Sequence, residues 1–311
     1  GYSSLFFMRS VEKRSHILQA STVVMAVNLV FIAFYLLMTQ SDYGLSEIAF
    51  YVSAGIISGL LSGALTMGLL PFFESLFGIL STMRLIELSN PNHPLLKKIL
   101  TETPGTYHHS VMVANLAEAA CEAVDADGLL ARVGCYYHDV GKTRRPAFFI
   151  ENQMGINPHD SLSPDASADI IIGHTTDGAE LLRQHKMPQE IIDIALQHHG
   201  TSLLKFFLHK AKEEGKTVNE ADFRYPGPKP QTKEAAIISI ADSVEAAVRS
   251  MKEPNAEKIQ KLIQSIIQDR VQDDQFDECD ISLKELKIIE DILCETLNGT
   301  FHSRIEYPKE K

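Results

Sequence analysis

The sequence predicts an all-α protein, a helical bundle preceded by two transmembrane helices. Three observations carry this. Two long uncharged apolar runs open the chain, no strand-like alternation lasts anywhere, and the later segments carry helix-start, apolar-run and proline-loop signals in turn. The chain has 311 residues, which suggests two units or one domain with an appendage. Its 45% hydrophobic and 22% charged residues exclude a collagen-like or wholly disordered chain. With 29 Lys and Arg against 40 Asp and Glu, the net charge is -11, so a basic nucleic-acid coat is excluded and no polymeric nucleic acid is expected as partner. The four cysteines form no CxxC pair, which leaves them as core residues rather than zinc ligands or a disulfide scaffold.

Residues 1–80 read as the membrane segment. Ala20 to Met38 is uncharged and long enough to cross a bilayer as a helix. Ala49 to Phe73 is a second such run, carrying Gly55, Gly59, Gly63 and Gly68 and ending near Pro71; glycines of this kind let membrane helices pack closely. Two buried helices of a soluble core would be the competing reading, but two uncharged runs of this length are rare in soluble chains. A signal peptide fits poorly, because a second run follows. Arg9, Lys13 and Arg14 precede the first run, Arg84, Lys97 and Lys98 follow the second, and the connector SDYGLSE holds two acids and no base. The positive-inside rule then places both outer ends, and everything after residue 100, in the cytoplasm. The expected location is the cell membrane, multi-pass, in contact with the lipid bilayer. A start at Gly1 is not a natural initiation and suggests a chain that continues upstream.

Residues 81–105 read as a juxtamembrane connector broken by Pro91 and Pro94, and 106–311 as a cytoplasmic domain. Helices are expected over about 107–124 and 128–139. A polar loop follows over 146–163, and Ser163-Pro164-Asp165 then starts a helix, with Ser as cap and Pro in the first turn. Further helices are expected near 164–173, 176–186, 188–199 and 200–213. The YPGPKP stretch closes a loop over 214–230, and helices follow near 233–250, 255–270 and 282–298. No Gly-rich phosphate loop appears between a strand and a helix.

The chemistry lies in the histidines, eight of which fall between His108 and His199. His138-Asp139 ends an apolar helix, His198-His199 ends the run IIDIAL, and Asp242 sits inside AAIISIADSVEAAV. A carboxylate in so apolar a helix is unfavourable unless paired or metal-bound. His108 and His109 point about 100° apart on a helix, so one of them faces a site. His159 in PHDS and His185 in RQHK are expected at the surface. Neutral imidazoles and carboxylates suit Fe, Mn, Zn, Ni or Co. Two such ions could clamp both sides of an in-line phosphoryl displacement.

The series His109, His138-Asp139, His174, His198-His199 and Asp242 resembles the HD-domain metal-dependent phosphohydrolases. The segments PGTYHHSVMVANLAEAACEAV, YYHDVGKTRRPAFFIENQ, HTTDGAELL and YPGPKPQTKEAAIISIADSVEAAV resemble the cytoplasmic domain of the seven-transmembrane HD-domain receptors. The resemblance covers essentially the whole chain. It implies an HD-domain helical bundle with two divalent ions, Mn2+ or Fe2+, including iron in mixed valence. One ion would be held by His109, His138, Asp139 and Asp242, and the other by Asp139, His174, His198 and His199, with Asp139 bridging. It implies hydrolysis of cyclic di-AMP to linear pApA by a hydroxide activated between the ions. Lys142, three residues past Asp139, would meet a phosphate oxygen or help neutralise charge as the bond breaks. Arg145 and Thr175 would be weaker phosphate or base contacts, and Tyr225 is one of several rings, with Tyr107, Tyr136, Phe148 and Phe149, on which adenine could stack. The alternatives are an HD phosphohydrolase for cyclic di-GMP, nucleoside phosphates or guanosine tetraphosphate, and a nucleotide sensor that does not cut. Receptors of this kind often pair, so a homodimer is an open expectation.

Overall fold

The computed structural model describes residues 14–39, 42–215 and 218–301. Arg9 and Lys13, two of the charges used for orientation, and the start at Gly1 lie outside the described residues. The chain forms two compact units, 1–87 and 88–311. Among the described residues all regular structure is helical, and the one β pairing is an isolated antiparallel bridge between Leu203 and Arg224.

In the first unit, α1 runs Arg14–Met38 and α2 runs Leu45–Phe77, followed by the short α3, Thr82–Leu88. Both long helices outrun the apolar stretches that announced them, and α2 continues through Pro71. Their membrane-length segments are Leu18–Met38 and Leu45–Glu74. Large apolar side chains such as Val30, Phe31, Leu37, Phe50 and Leu60 face outward. A core helix of a soluble protein would bury them, whereas a bilayer solvates them. The two helices pack through the glycines of α2. A Cβ on Gly55 would fall 2.7 Å from Ile32, one on Gly59 would fall 2.6 Å from Met25, and one on Gly63 would fall 2.7 Å from Ser21. Gly55, Gly59 and Gly63 therefore form a small-residue stripe four residues apart, which lets the two backbones approach. Gly68 lies off this contact.

The second unit is a helical bundle. It comprises α4 (Pro94–Glu102), α5 (Pro104–Glu122), α6 (Gly128–Tyr137), α7 (Pro164–Gln184), α8 (Gln189–Gln197), α9 (Lys205–Glu213), α10 (Lys233–Ser250), α11 (Ala256–Gln272) and α12 (Leu283–Phe301). Several starts are fixed by side-chain caps that accept an otherwise unpaired backbone N–H. Asp127 accepts from Leu130, Ser163 from Ala166, Thr232 from Ala235 and Asn255 from Lys258. The main core lies between α5, α6, α10, α11 and α12, filled by residues such as Val113, Leu116, Ile237, Ile240, Ile259 and Leu293. A smaller cluster of Ala168, Phe207, Leu208, Ala211 and Phe223 joins α7 to α9.

Three elements differ from expectation. The helices expected at 164–173 and 176–186 are one continuous α7, because Gly173 and the two threonines after it interrupt the apolar pattern but not the backbone hydrogen bonding. The helix expected from 200 begins at Lys205, since residues 200–204 turn the chain and pair Leu203 with Arg224. The connector is more ordered than its prolines suggested: Pro94 opens α4 and Pro104 opens α5, the first-turn position that a proline tolerates. The polar loop over 146–163 is wound into short 3-10 turns.

Candidate metal centre

Five helices and one 3-10 turn bring their histidines and aspartates together. His109 comes from the first half of α5. His138 is the C-terminal cap of α6, and Asp139 opens the 3-10 turn Val140–Arg144. His174 lies in the middle of α7, His198 caps α8 with His199 next to it, and Asp242 sits in the middle of α10. Gly141 makes this convergence possible. A Cβ there would lie 2.0 Å from the carbonyl oxygen of His174, so only glycine lets the turn after Asp139 rest on α7. His108 is exposed beside buried His109, as helical geometry required.

The ligand atoms form two groups, His109, His138, Asp139 and Asp242 on one side and His174, His198 and His199 on the other. Asp139 stands between them. Its Oδ2 lies 3.2 Å from His138 Nε2 and 3.6 Å from His109 Nε2. Its Oδ1 lies 3.2 Å from His174 Nε2 and 3.8 Å from His198 Nε2. Asp242 also spans the groups, with Oδ1 2.9 Å from His109 Nε2 and 3.6 Å from His138 Nε2, and Oδ2 3.7 Å from His199 Nδ1.

This donor set fits a cation. His138, His174 and His198 each turn Nδ1 to a backbone carbonyl three residues earlier, at 2.7, 2.5 and 2.9 Å. A carbonyl only accepts, so Nδ1 carries a proton and Nε2 is the nitrogen turned to the cluster, with its lone pair free whenever the ring is neutral. The Nε2 atoms of His174 and His198 then face each other at 3.1 Å, lone pair towards lone pair, an arrangement that a cation relieves. His138 Nε2 and Asp139 Oδ1 are buried without a hydrogen bond, and Asp139 Oδ2 has the Lys142 ammonium for a partner, so the first two are unfavourable unless something binds them.

The electrostatics divide along the same line. Burial works against a charged His138, yet Asp139 and Asp242 raise it to about 10. Burial lowers His198 to about 3, and the neighbouring His138 and His174 push the same way. His199 is also held well below its ordinary value, by burial and by His198. Burial would raise Asp139 and Asp242, but the histidines around them, and Lys142 beside Asp139, hold both well below the usual carboxylate range.

The remaining expected residues are placed unevenly. Lys142 Nζ lies 2.7 Å from Asp139 Oδ2 and 2.9 Å from Glu151 Oε1, and 5.1 Å above the Phe149 ring. Burial opposes its charge, but Asp139 and Glu151 keep it protonated. The Tyr225 ring sits 4.3 Å from that of His199, and the Phe149 ring 5.8 Å from that of His174. Thr175 is buried with its hydroxyl donating to the Ile172 carbonyl of its own helix at 3.2 Å. Arg145 is exposed at the end of the turn, and no hydrogen bond or ion pair joins it to the cluster. His159, expected at the surface, is buried; its Nε2 donates to the Phe148 carbonyl at 2.9 Å, and its ring packs on Phe207. His185 is exposed, as expected.

Two carboxylates escaped the sequence reading. Glu151 accepts from Lys142 and from Thr106 Oγ1, tying the 3-10 loop to the start of α5. Glu245 lies 2.5 Å from His109 Nδ1. Its signal was its place three residues after Asp242 in an apolar helix, on the same face. Glu151 sits in a polar loop and had none.

A helical bundle whose buried histidines and aspartates converge in this order is an HD domain. A family model of the HD domain matches residues 106–247, and one described as a 7TM receptor with intracellular HD hydrolase matches residues 1–81. The chain belongs to this 7TM receptor family with an HD hydrolase domain. It is 64% identical over 310 residues to the cyclic-di-AMP phosphodiesterase PgpH of Bacillus subtilis (strain 168), covering 99% of this chain and 44% of that protein. It is 55% identical over 314 residues to the cyclic-di-AMP phosphodiesterase PgpH of Listeria monocytogenes serotype 1/2a (strain 10403S), covering 100% of this chain and 44% of that protein. The chain thus spans less than half the length of these curated relatives. The crystal structure of the L. monocytogenes PgpH HD domain in complex with cyclic-di-AMP is 65% identical, with a TM-score of 0.67, and the match covers 69% of this chain and 100% of that one.

Proposed function

We propose that the chain is a metal-dependent phosphodiesterase that hydrolyses cyclic di-AMP to linear pApA. The observation that carries this is the position of Asp139, whose two buried oxygens each face a separate set of imidazoles. The relatives named as cyclic-di-AMP phosphodiesterases, and the related HD domain solved with that nucleotide, support the substrate.

In this reading His109, His138, Asp139 and Asp242 would hold one divalent ion and Asp139, His174, His198 and His199 the second, with Asp139 common to both. Mn2+ and Fe2+ both suit the donors, iron in mixed valence included. When bound, the ions lower the pKa of a water and withdraw charge from the phosphoryl oxygens. The chain supplies the rest. Lys142 stays charged beside Asp139 and offers its ammonium to a phosphate oxygen. Tyr225 and Phe149 flank the imidazoles and present rings against which adenine can stack. Arg145 and Thr175 are weaker contacts, the first by its exposure and the second by its engaged hydroxyl.

The proposed organisation is a membrane segment over 1–80, a connector over 81–105 and a catalytic domain over 106–311. The basic flanks and acidic connector support a cytoplasmic position for that domain in a multi-pass protein. A homodimer is its proposed assembly. The test is to incubate the protein with Mn2+ and cyclic di-AMP, with cyclic di-GMP and cyclic AMP as competitors and Asp139→Ala as control. Conversion to pApA, reduced roughly 10³-fold or more in the variant, is expected. Preference for another nucleotide would discard the substrate, and binding without turnover by a metal-loaded protein would make it a sensor.

A further inference from the structure

Glu245 has no part in the reaction proposed above, yet among the described residues it makes the shortest side-chain contact to any of the cluster's imidazoles. It lies on α10 one turn beyond Asp242 and is buried. Its Oε2 is 2.5 Å from His109 Nδ1, while Asp242 Oδ1 is 2.9 Å from Nε2 of the same ring. The second contact of Glu245 is looser, with Arg249 at 3.7 Å.

The comparison with the other imidazoles is informative. His138, His174 and His198 are each backed at Nδ1 by a neutral carbonyl from their own preceding turn. Local helix geometry supplies such a partner wherever a histidine adopts that rotamer. The Nδ1 partner of His109 is a charged group from another helix, 136 residues away in sequence. A carboxylate accepts from Nδ1 and so leaves Nε2, which faces Asp242 Oδ1 at 2.9 Å and Asp139 Oδ2 at 3.6 Å, as the nitrogen that a cation would take. Its negative charge also makes that nitrogen a stronger donor, as carboxylates behind metal-bound histidines do.

We propose that Glu245 is a positioning residue that fixes His109 as an Nε2 ligand and strengthens it, so that the ion on the carboxylate-rich side is bound more tightly than the ion on the imidazole-rich side. This rests on the two-ion reading given above.

The test needs no turnover. The full chain, purified in detergent and stripped by a chelator, is titrated with Mn2+ and followed by calorimetry. Two binding events are expected for the native sequence. Glu245→Gln is expected to weaken the tighter event by roughly 10–100-fold and leave the other unchanged. Glu245→Asp keeps the charge and is expected to recover part of the loss. In a His109→Gln background, Glu245→Gln is expected to change nothing further, because it acts through that ring. Thermal unfolding of the metal-free variants checks that each is folded. Unchanged affinities in a folded Glu245→Gln variant would overturn the proposal. So would an equal loss at both sites, or a further loss in the His109→Gln background, since either would mean a general structural role. A native chain that takes up no Mn2+ would instead sink the metal reading itself, and this proposal with it.

Discussion

On one side of Asp139, His138 is raised to about 10; on the other, His198 is lowered to about 3. Both rings are fully buried, both turn Nδ1 to a carbonyl of their own helix, and both point Nε2 inward. They differ in what faces that nitrogen. His138 meets Asp139 at 3.2 Å and Asp242 at 3.6 Å. His198 meets His174 at 3.1 Å, with Asp139 further off at 3.8 Å. Desolvation therefore decides the state of His198, and neighbouring carboxylates decide that of His138. At neutral pH an arriving cation competes with a proton on the carboxylate side and meets bare lone pairs on the imidazole side.

The sharpest way to break this comparison is to remove the imidazole side. His198→Gln takes away a ring that no carboxylate replaces. Bound Mn2+ is expected to fall from two ions to one, and cyclic di-AMP hydrolysis by about 10³-fold, since one ion cannot clamp both the attacking and the leaving oxygen. Metal analysis and product chromatography on the same sample check both. Full stoichiometry in the variant would mean that the two halves are not separate sites.

Lys142 belongs to the carboxylate side, and its loss is expected to matter less. Lys142→Met removes the ammonium from Asp139 and Glu151 but no ligand. Bound metal is expected to stay at two ions while kcat falls by roughly 10²-fold, the low end of the range for a single charge-stabilising or proton-handling group. Steady-state kinetics with parallel metal analysis separate the two effects.

The metal-free protein exposes the contrast through pH. His198 has a folded-state pKa far below the ordinary histidine value of about 6.5. Its contribution to stability is present above about 6.5 and is lost as pH falls from there towards about 3. His138 is raised, so its contribution is present below about 6.5 and is lost as pH rises towards about 10. Urea unfolding of the chelator-treated protein across this range is expected to show stability falling on both limbs. His198→Gln is expected to flatten the acid limb and His138→Gln the alkaline one. The reverse assignment would refute the electrostatic division.

Much of this site was legible in the sequence because chemistry-bearing residues sat where helices had little use for them. Asp242 stood out inside an apolar helix, and His138-Asp139 and His198-His199 each ended an apolar run. What the sequence hid was orientation. Nothing in PHDS distinguishes a solvated histidine from one whose ring closes a small core over Phe207. Nothing in a polar loop announced that Glu151 reaches back to Lys142 and Thr106, a pairing set by tertiary packing. The glycines of α2 behaved differently. Their presence in an apolar run suggested close packing, and which of them form the stripe, with which partners on α1, had to come from the structure.

The smallest effect is expected at the edge of the imidazole side. Tyr225 lies 4.3 Å from the His199 ring, tilted by 32°, and no carboxylate-side ring has such a neighbour. Burial raises its hydroxyl pKa, so the phenol stays protonated throughout the working range. If the ring acts by stacking on a base, Tyr225→Phe keeps that face and is expected to change KM by no more than about twofold. Tyr225→Ala removes it and is expected to raise KM about tenfold, within the span of one base–aromatic contact. Metal content should be unaffected in both, because no ligand is lost. A loss of metal in Tyr225→Ala would instead assign the ring to holding His199 in place, and the asymmetry of the two halves would then extend from charge to packing.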